Sequence, residues 1–369
     1  MSNRLLQLEA AGQAVWLDYL NRQILNDGEL KRLIDDDGLK GMTSNPSIFE
    51  KAIVESHDYD EALKSLQTRG EHGVAEIYEH LAIADIQAAA DLLGPVFEAT
   101  GGRDGYVSLE CSPYLANDTA ATMTEARRLR AAVDRPNLMV KVPATAAGVA
   151  AVRALTGQGL NINITLLFAV NAYEAVAQAY IGGLEDLERL GGDVARIASV
   201  ASMFVSRIDG AVDRRLDQLG DKALFDRLRG KAAIANAKLA YGAYQALFSG
   251  PRWDRLAEKG ARTQRLLWAS TSTKSPDYRD TMYVEALVGR DTVNTLPPST
   301  MDAFRDHGVV TPGAIEENVA GARTVLAELE ANGIGLEQIT ADLVIDGVRQ
   351  FAEAFDKLFS DIARRVGKE

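Results

Sequence analysis

Lys141 is the residue of this sequence with the most chemistry open to it. It interrupts Asn137-Leu138-Met139-Val140-Lys141-Val142-Pro143-Ala144-Thr145, a short apolar run with turn formers at both ends, which reads as a buried strand. An ammonium ion there meets a large desolvation penalty; shedding the proton leaves a neutral amine, a nucleophile toward carbonyls. The plainer alternative is a lysine whose head reaches water or pairs with a carboxylate. Two carboxylates close comparable runs: Asp18 after Val15-Trp16-Leu17, and Glu110 after Val107-Ser108-Leu109. Asn45 follows Gly41-Met42-Thr43-Ser44, Thr165 ends Asn161-Ile162-Asn163-Ile164-Thr165, Ser202 and Phe204 close a sixth run with Arg207 just beyond, and Ser270 closes a seventh. An amine and carboxylates without a metal-ligand or cofactor motif suit Schiff-base chemistry. The amine condenses with a ketone, and the iminium ion draws in the electrons of a breaking C–C bond. Proton transfers in both steps need an acid or base, and Arg207 offers a permanent cation for a phosphate.

These residues must be carried by elements that bring them together. Short apolar runs recur at Val15–Leu17, Leu39–Ser44, Tyr106–Leu109, Leu138–Val142, Leu160–Leu167, Ile197–Phe204, Leu266–Thr271 and Val293–Leu296. Amphipathic helical patterns lie between them, such as Val170–Leu190 with Tyr173, Val176, Ala177, Tyr180 and Leu184 on one face. Ala116–Ala132 and Gly148–Leu155 are further examples. Alternation of this kind predicts parallel strands joined by crossovers. Eight such units predict an α/β fold, a (β/α)8 TIM-type barrel, whose active site forms at the C-terminal ends of the strands. Side chains alternate along a strand, so Asn161, Asn163 and Thr165 share the inward face and Ile162, Ile164 and Leu166 the outward one.

Such barrels typically need ~250 residues, and this chain has 369. One decorated domain, residues 1–369, is expected, with extra helices in 51–103, 209–262 and 312–369. The clearest helical patterns there are Asp60–Gly70, Val74–Leu93, Ala314–Asn332 and Asp342–Val366.

Other candidates read as structural. His57, His72, His80 and His307 lack ligand spacing, so no metal is expected. No glycine-rich phosphate loop opens a helix, so no nucleotide cofactor is expected. Asp35-Asp36-Asp37-Gly38 precedes a strand and is expected to be a solvated turn on the far face. Cys111, the only cysteine, should be a packing thiol turned away from Glu110. The net charge of −12 argues against nucleic acid and anionic membranes as partners. No run approaches the ~20 apolar residues of a membrane span, and the N-terminus lacks a signal-peptide core. A cytoplasmic protein, monomer or homodimer, is expected.

The stretches Thr43-Ser44-Asn45-Pro46-Ser47, Ser108-Leu109-Glu110, Lys141 in its strand, Asn161 to Phe168, and Ser202-Met203-Phe204-Val205-Ser206-Arg207 together resemble the transaldolase family. These are enzymes of the pentose phosphate pathway that pass a dihydroxyacetone unit between sugar phosphates. The resemblance implies that Lys141 forms the Schiff base. It further implies that Glu110 and Thr165 hold a proton-shuttling water and that Asp18 is the acid/base for cleavage. Asn45 and Ser202 would contact the dihydroxyacetone unit, with Arg207 on the phosphate. Asp18 matches by its place at the end of the first strand. A second phosphate arginine, common in the family after the seventh strand, is absent from Ser270-Thr271-Ser272-Thr273-Lys274-Ser275, leaving Lys274 or the hydroxyls in its place. The chain is also longer than most of the family. The competing readings are an aldolase releasing free dihydroxyacetone from fructose-6-phosphate, and a non-catalytic sugar-phosphate-binding barrel. Phe204 in the mouth offers no proton to an enamine, which favours transfer.

Overall fold

The structure, a computed structural model, describes residues 3–68 and 73–367; His72 and the end of the Asp60–Gly70 pattern lie outside them. Eight parallel strands follow the eight apolar runs: β1 (Gln13–Asp18), β2 (Gly41–Thr43), β3 (Tyr106–Glu110), β4 (Leu138–Pro143), β5 (Ile162–Leu167), β6 (Ser199–Phe204), β7 (Gln264–Ala269) and β8 (Thr292–Leu296). They pair in chain order and close into a barrel, β1 meeting β8 in register from Gln13↔Thr292 to Leu17↔Leu296. This is the (β/α)8 arrangement, with helices surrounding the sheet.

The strands' two faces build two cores. Outward residues such as Val15, Leu17, Val140, Val142 and Ile164 pack against the helices. Inward residues Ala14, Trp16, Tyr106, Met139, Val200, Leu267 and Val293 fill the lower barrel with a separate apolar cluster. Trp16 dictates Gly41 on the neighbouring strand: a Cβ there would sit 2.5 Å from the indole. Higher up, the inward positions Asp18, Thr43, Lys141, Thr165, Ser202 and Thr295 are polar, while β7 presents Ala269, and together they line an open upper barrel.

Alternation fails at one point. Between Ile164 and Leu167 the β5–β6 register shifts, and Leu166 takes a left-handed φ of 58°. Its side chain then lies under the last helix, Leu336–Arg365, where Gly347 clears it: a Cβ would sit 2.8 Å from Leu166 Cδ2. Asn161 just precedes β5 and is held at the barrel's lower end, donating to the Pro136 carbonyl and accepting from the Ala198 amide.

Segment 51–103 contains Asp60–Thr68 and Val74–Ala99, as well as the second half of a helix that begins earlier, Pro46–Glu55. Segment 209–262 holds Lys222–Leu228, Ala232–Leu247 and Pro251–Ala257, broken at Gly250-Pro251 as expected. The tail helix Leu336–Arg365 packs on the helices Pro46–Glu55, Val74–Ala99 and Ser206–Gln218 and crosses the C-terminal mouth. The Asp35-Asp36-Asp37 stretch departs from expectation. It ends the helix Glu29–Asp37, and Asp37 is buried, accepting from Arg305 at 2.8 Å and Asn3 at 2.6 Å. Its partner Arg305 lies 268 residues away, beyond any local pattern. Among the described residues no helix is long and apolar enough to cross a membrane, and no three His, Cys, Asp or Glu side chains cluster as metal ligands.

Candidate active site

β4 presents Lys141 between β3 and β5, through the pairs Glu110↔Lys141 and Lys141↔Asn163. The residue is 4% exposed, but its amine has partners. Nζ donates to the Ser44 carbonyl at 2.9 Å and lies 3.4 Å from Glu110 Oε2. The expected burial is therefore present, and so is the carboxylate pairing of the alternative reading. Burial pushes the Glu110 carboxyl above the usual range, against the pull of the Lys141 charge. Glu110 Oε2 receives no hydrogen bond.

A cavity of about 350 Å3 opens at the C-terminal end of the barrel. Asp18, Asn45, Lys141, Thr165, Ser202, Phe204, Arg207, Ser270 and Lys274 all line it. Glu110 does not; it faces a different cleft on the far side of Lys141. Glu110 therefore meets the amine from outside the cavity. Asp18 accepts from Thr43 Oγ1 at 2.6 Å, and Thr43 lies 2.8 Å from Thr295 Oγ1. With Asp18 ionised, the single proton of Thr43 goes to it, so Thr295 is the donor in the second bond. Burial raises the Asp18 pKa, opposed by the Thr43 hydrogen bond and the charge of Lys141.

Each polar wall is held by its neighbours. Asn45 caps the helix Pro46–Glu55, its side-chain oxygen accepting from the Ile48 amide at 3.0 Å; the amide NH2 stays available to a ligand. Ser202 Oγ donates to Asn163 Oδ1 at 2.6 Å, and Asn163 Nδ2 donates to Ser108 Oγ at 3.0 Å. Ser202 is left as an acceptor. Thr165 Oγ1 is buried with no partner. Ser270 has a left-handed φ of 56° and bonds Ser206 at 2.9 Å. Leu166, next to Thr165, and Ser270 both hold a left-handed φ, each at a cost on the order of 1–3 kcal/mol of backbone strain.

The outer end of the cavity is cationic. Arg207 stacks over Phe204 at 5.2 Å, and Lys274 and Lys51 line the same space. Burial and then the nearby Arg207 charge lower the Lys274 pKa; two cations so close favour an anion between them. Cys111 is buried, and its thiol pKa is raised by burial. Sequence reasoning passed over Thr43, Thr295, Lys51 and Phe351, all of which line the cavity. Thr43 is signalled by its parity with Gly41. Lys51 is signalled by lying one helical turn after Ser47 and the Asn45-Pro46 cap. Nothing local marks Phe351, which the tail helix delivers.

A family model described as Transaldolase/Fructose-6-phosphate aldolase matches residues 15–362. The chain belongs to the transaldolase/fructose-6-phosphate aldolase family. Among curated relatives, it is 47% identical over 367 residues to a transaldolase of Parafrankia sp. (strain EAN1pec), covering 100% of this chain and 99% of the relative. It is 50% identical over 351 residues to that of Thiobacillus denitrificans, covering 95% and 97%. With the transaldolase of Thermobifida fusca the figures are 45% over 366 residues, and 99% of each.

Proposed function

We propose that the chain is a transaldolase working through a Schiff base on Lys141. It moves a dihydroxyacetone unit from sedoheptulose-7-phosphate or fructose-6-phosphate to glyceraldehyde-3-phosphate or erythrose-4-phosphate. One observation carries this reading: in a chain of this family, a buried amine and a cationic rim occupy opposite ends of one cavity.

The steps follow from the contacts. Glu110, its carboxyl pKa raised by burial, accepts the ammonium proton across 3.4 Å. The amine adds to the ketose C2, and the carbinolamine loses water to give the iminium ion. Thr165, with a free buried hydroxyl, holds that water together with Glu110. Asp18 takes the proton of the C4 hydroxyl, the C3–C4 bond breaks, and the aldose phosphate departs, its electrons held in the enamine. Asn45 and Ser202 hold the dihydroxyacetone hydroxyls, and Arg207 and Lys274 the phosphate. Phe204 gives the enamine no proton, so the acceptor aldehyde is attacked before hydrolysis. Reversal of the first steps frees the new ketose. No step calls for a metal or an organic cofactor. The chain acts as a single decorated barrel in the cytoplasm, within the pentose phosphate pathway.

Borohydride tests this reading. Added with fructose-6-phosphate, it should leave a reduced three-carbon adduct on the Lys141 peptide, and in Asp18→Asn a whole ketose phosphate adduct. Lys141→Arg should lose essentially all transfer to erythrose-4-phosphate, since guanidinium cannot deprotonate in a protein. Label on another lysine, or an active Lys141→Arg, would refute the assignment.

A further inference from the structure

Lys141 and Glu110 are 3.4 Å apart, yet they face different spaces. Lys141 and Thr165 line the sugar cavity. Glu110 forms the floor of a second cleft, of about 260 Å3, between the helices Val74–Ala99 and Thr119–Val133 and the tail helix. Its walls include the apolar Leu129 and Phe359, and its rim carries the exposed Tyr114 and Arg128, the latter paired with Glu79 and Glu125. The Glu110 side chain is 7% exposed and Oε2 has no hydrogen bond. The amine–carboxyl pair is therefore a partition between two spaces.

Imine formation releases a water molecule made from the ketose C2 oxygen, and imine hydrolysis consumes one. Both events occur at Nζ while sugar fills the cavity beneath the tail residue Phe351. The opening beyond the sugar is then occupied, whereas the cleft behind Glu110 stays clear.

We propose that this cleft is the water port of the catalytic cycle. Water formed at Lys141 leaves past the Glu110 carboxyl, and hydrolytic water enters by the same route. The charged rim of Glu79, Glu125 and Arg128 keeps the cleft open to solvent, so water released past Glu110 exchanges with bulk before the imine is hydrolysed. The inference rests on the Schiff-base reading above.

The test follows oxygen. Fructose-6-phosphate labelled with oxygen-18 at C2 is turned over with erythrose-4-phosphate, and C2 of the sedoheptulose product is assayed by mass spectrometry, with uncatalysed exchange subtracted. Wild type should return product whose C2 oxygen comes from bulk water. Ser112→Tyr and Ile83→Phe each narrow the cleft from a different wall without touching the sugar cavity. Each should lower kcat several-fold at unchanged KM, and the product should retain most of the label. Two variants are used so that one folded protein, judged by Tm, suffices. Label retained by wild type, or lost equally by a folded plug variant, would overturn the port while leaving the Schiff base standing. Absence of any transfer product from wild type would overturn the reading beneath it.

Discussion

Among the described residues, two ion pairs are buried near opposite ends of the barrel and to the same depth. Near the N-terminal end of the strands, Arg265 meets Asp104 at 2.8 Å, with side chains 7% and 8% exposed. Near the C-terminal end, Lys141 meets Glu110 at 3.4 Å, with side chains 6% and 7% exposed. Equal burial brings comparable desolvation to both. The lower pair is saturated: Arg265 also donates to the Arg103 carbonyl at 2.7 Å, and the Trp16 indole donates to Asp104 at 3.3 Å. In the upper pair, Glu110 Oε2 has no hydrogen bond, and the amine gives one to the Ser44 carbonyl. The cations differ as well. A guanidinium keeps its proton, whereas an ammonium can hand one over. What separates a structural pair from a reactive one is spare hydrogen-bonding capacity and a transferable proton, not burial.

The sharpest way to break this comparison is to remove the proton acceptor of the upper pair. Glu110→Gln keeps the shape and should cost kcat ~10²–10⁴-fold, the range of a general acid/base group, with KM little changed. A normal kcat would show that another group takes the lysine proton. The converse change is Arg265→Met in the lower pair. It strands a buried Asp104 carboxylate and should cost stability, about 3–5 kcal/mol by denaturant titration, while kcat per folded molecule stays at the wild-type value. A loss of kcat without a loss of stability would undo the distinction drawn between the two pairs.

The difference between the ends also marks what the sequence alone could reveal. The eight strands stand out because each is a short apolar run bounded by turn residues, and Asp18, Thr165 and Ser202 fall on the cavity by simple alternation. Contacts that exist only once the barrel closes leave no local trace. Thr43 meets Thr295 because β1 lies between β2 and β8, a neighbourhood fixed by closure. Asp37 reads as a solvated turn because Arg305 lies 268 residues on. Glu110 has the parity of an inward residue, yet it borders the outer cleft and not the sugar cavity, and that cleft is closed on one side by the tail helix. Leu166 breaks the alternation through a bulge that no residue type in β5 announces.

A third buried carboxylate sharpens the contrast, because it has no cation at all. Asp209 accepts from the Ala233 amide and the Tyr283 hydroxyl, each at 2.8 Å, and burial lifts its pKa to about 7. The folded state therefore holds this proton more tightly than the unfolded chain, whose value is near 3.8. The resulting stabilisation is complete below that lower value and is lost as pH rises through about 7. Stability measured across this window should fall with a slope of at most about 1.4 kcal/mol per pH unit from this site. Asp209→Asn should flatten the slope. An equally steep profile in the variant would place the titrating group elsewhere.

The smallest effect expected belongs to the outer end of the cavity, where charge works in contact with water. Lys51 projects from the helix Pro46–Glu55 into the space shared with Arg207 and Lys274, and its head is exposed. An exposed ammonium contributes little to a fixed ion pair because solvent and salt screen it, but it still adds to the potential felt by an incoming phosphate. Lys51→Met preserves most of the stem and removes only the charge. KM for fructose-6-phosphate should rise about two- to fivefold at low salt, the range of an exposed pair, with kcat unchanged. The difference should shrink as salt is added and should vanish with an unphosphorylated acceptor such as glyceraldehyde tested against a fixed donor. A KM increase that persists at high salt, or that extends to the uncharged acceptor, would mean that Lys51 shapes the cavity by packing, and the charge would then have to be assigned to Arg207 and Lys274 alone.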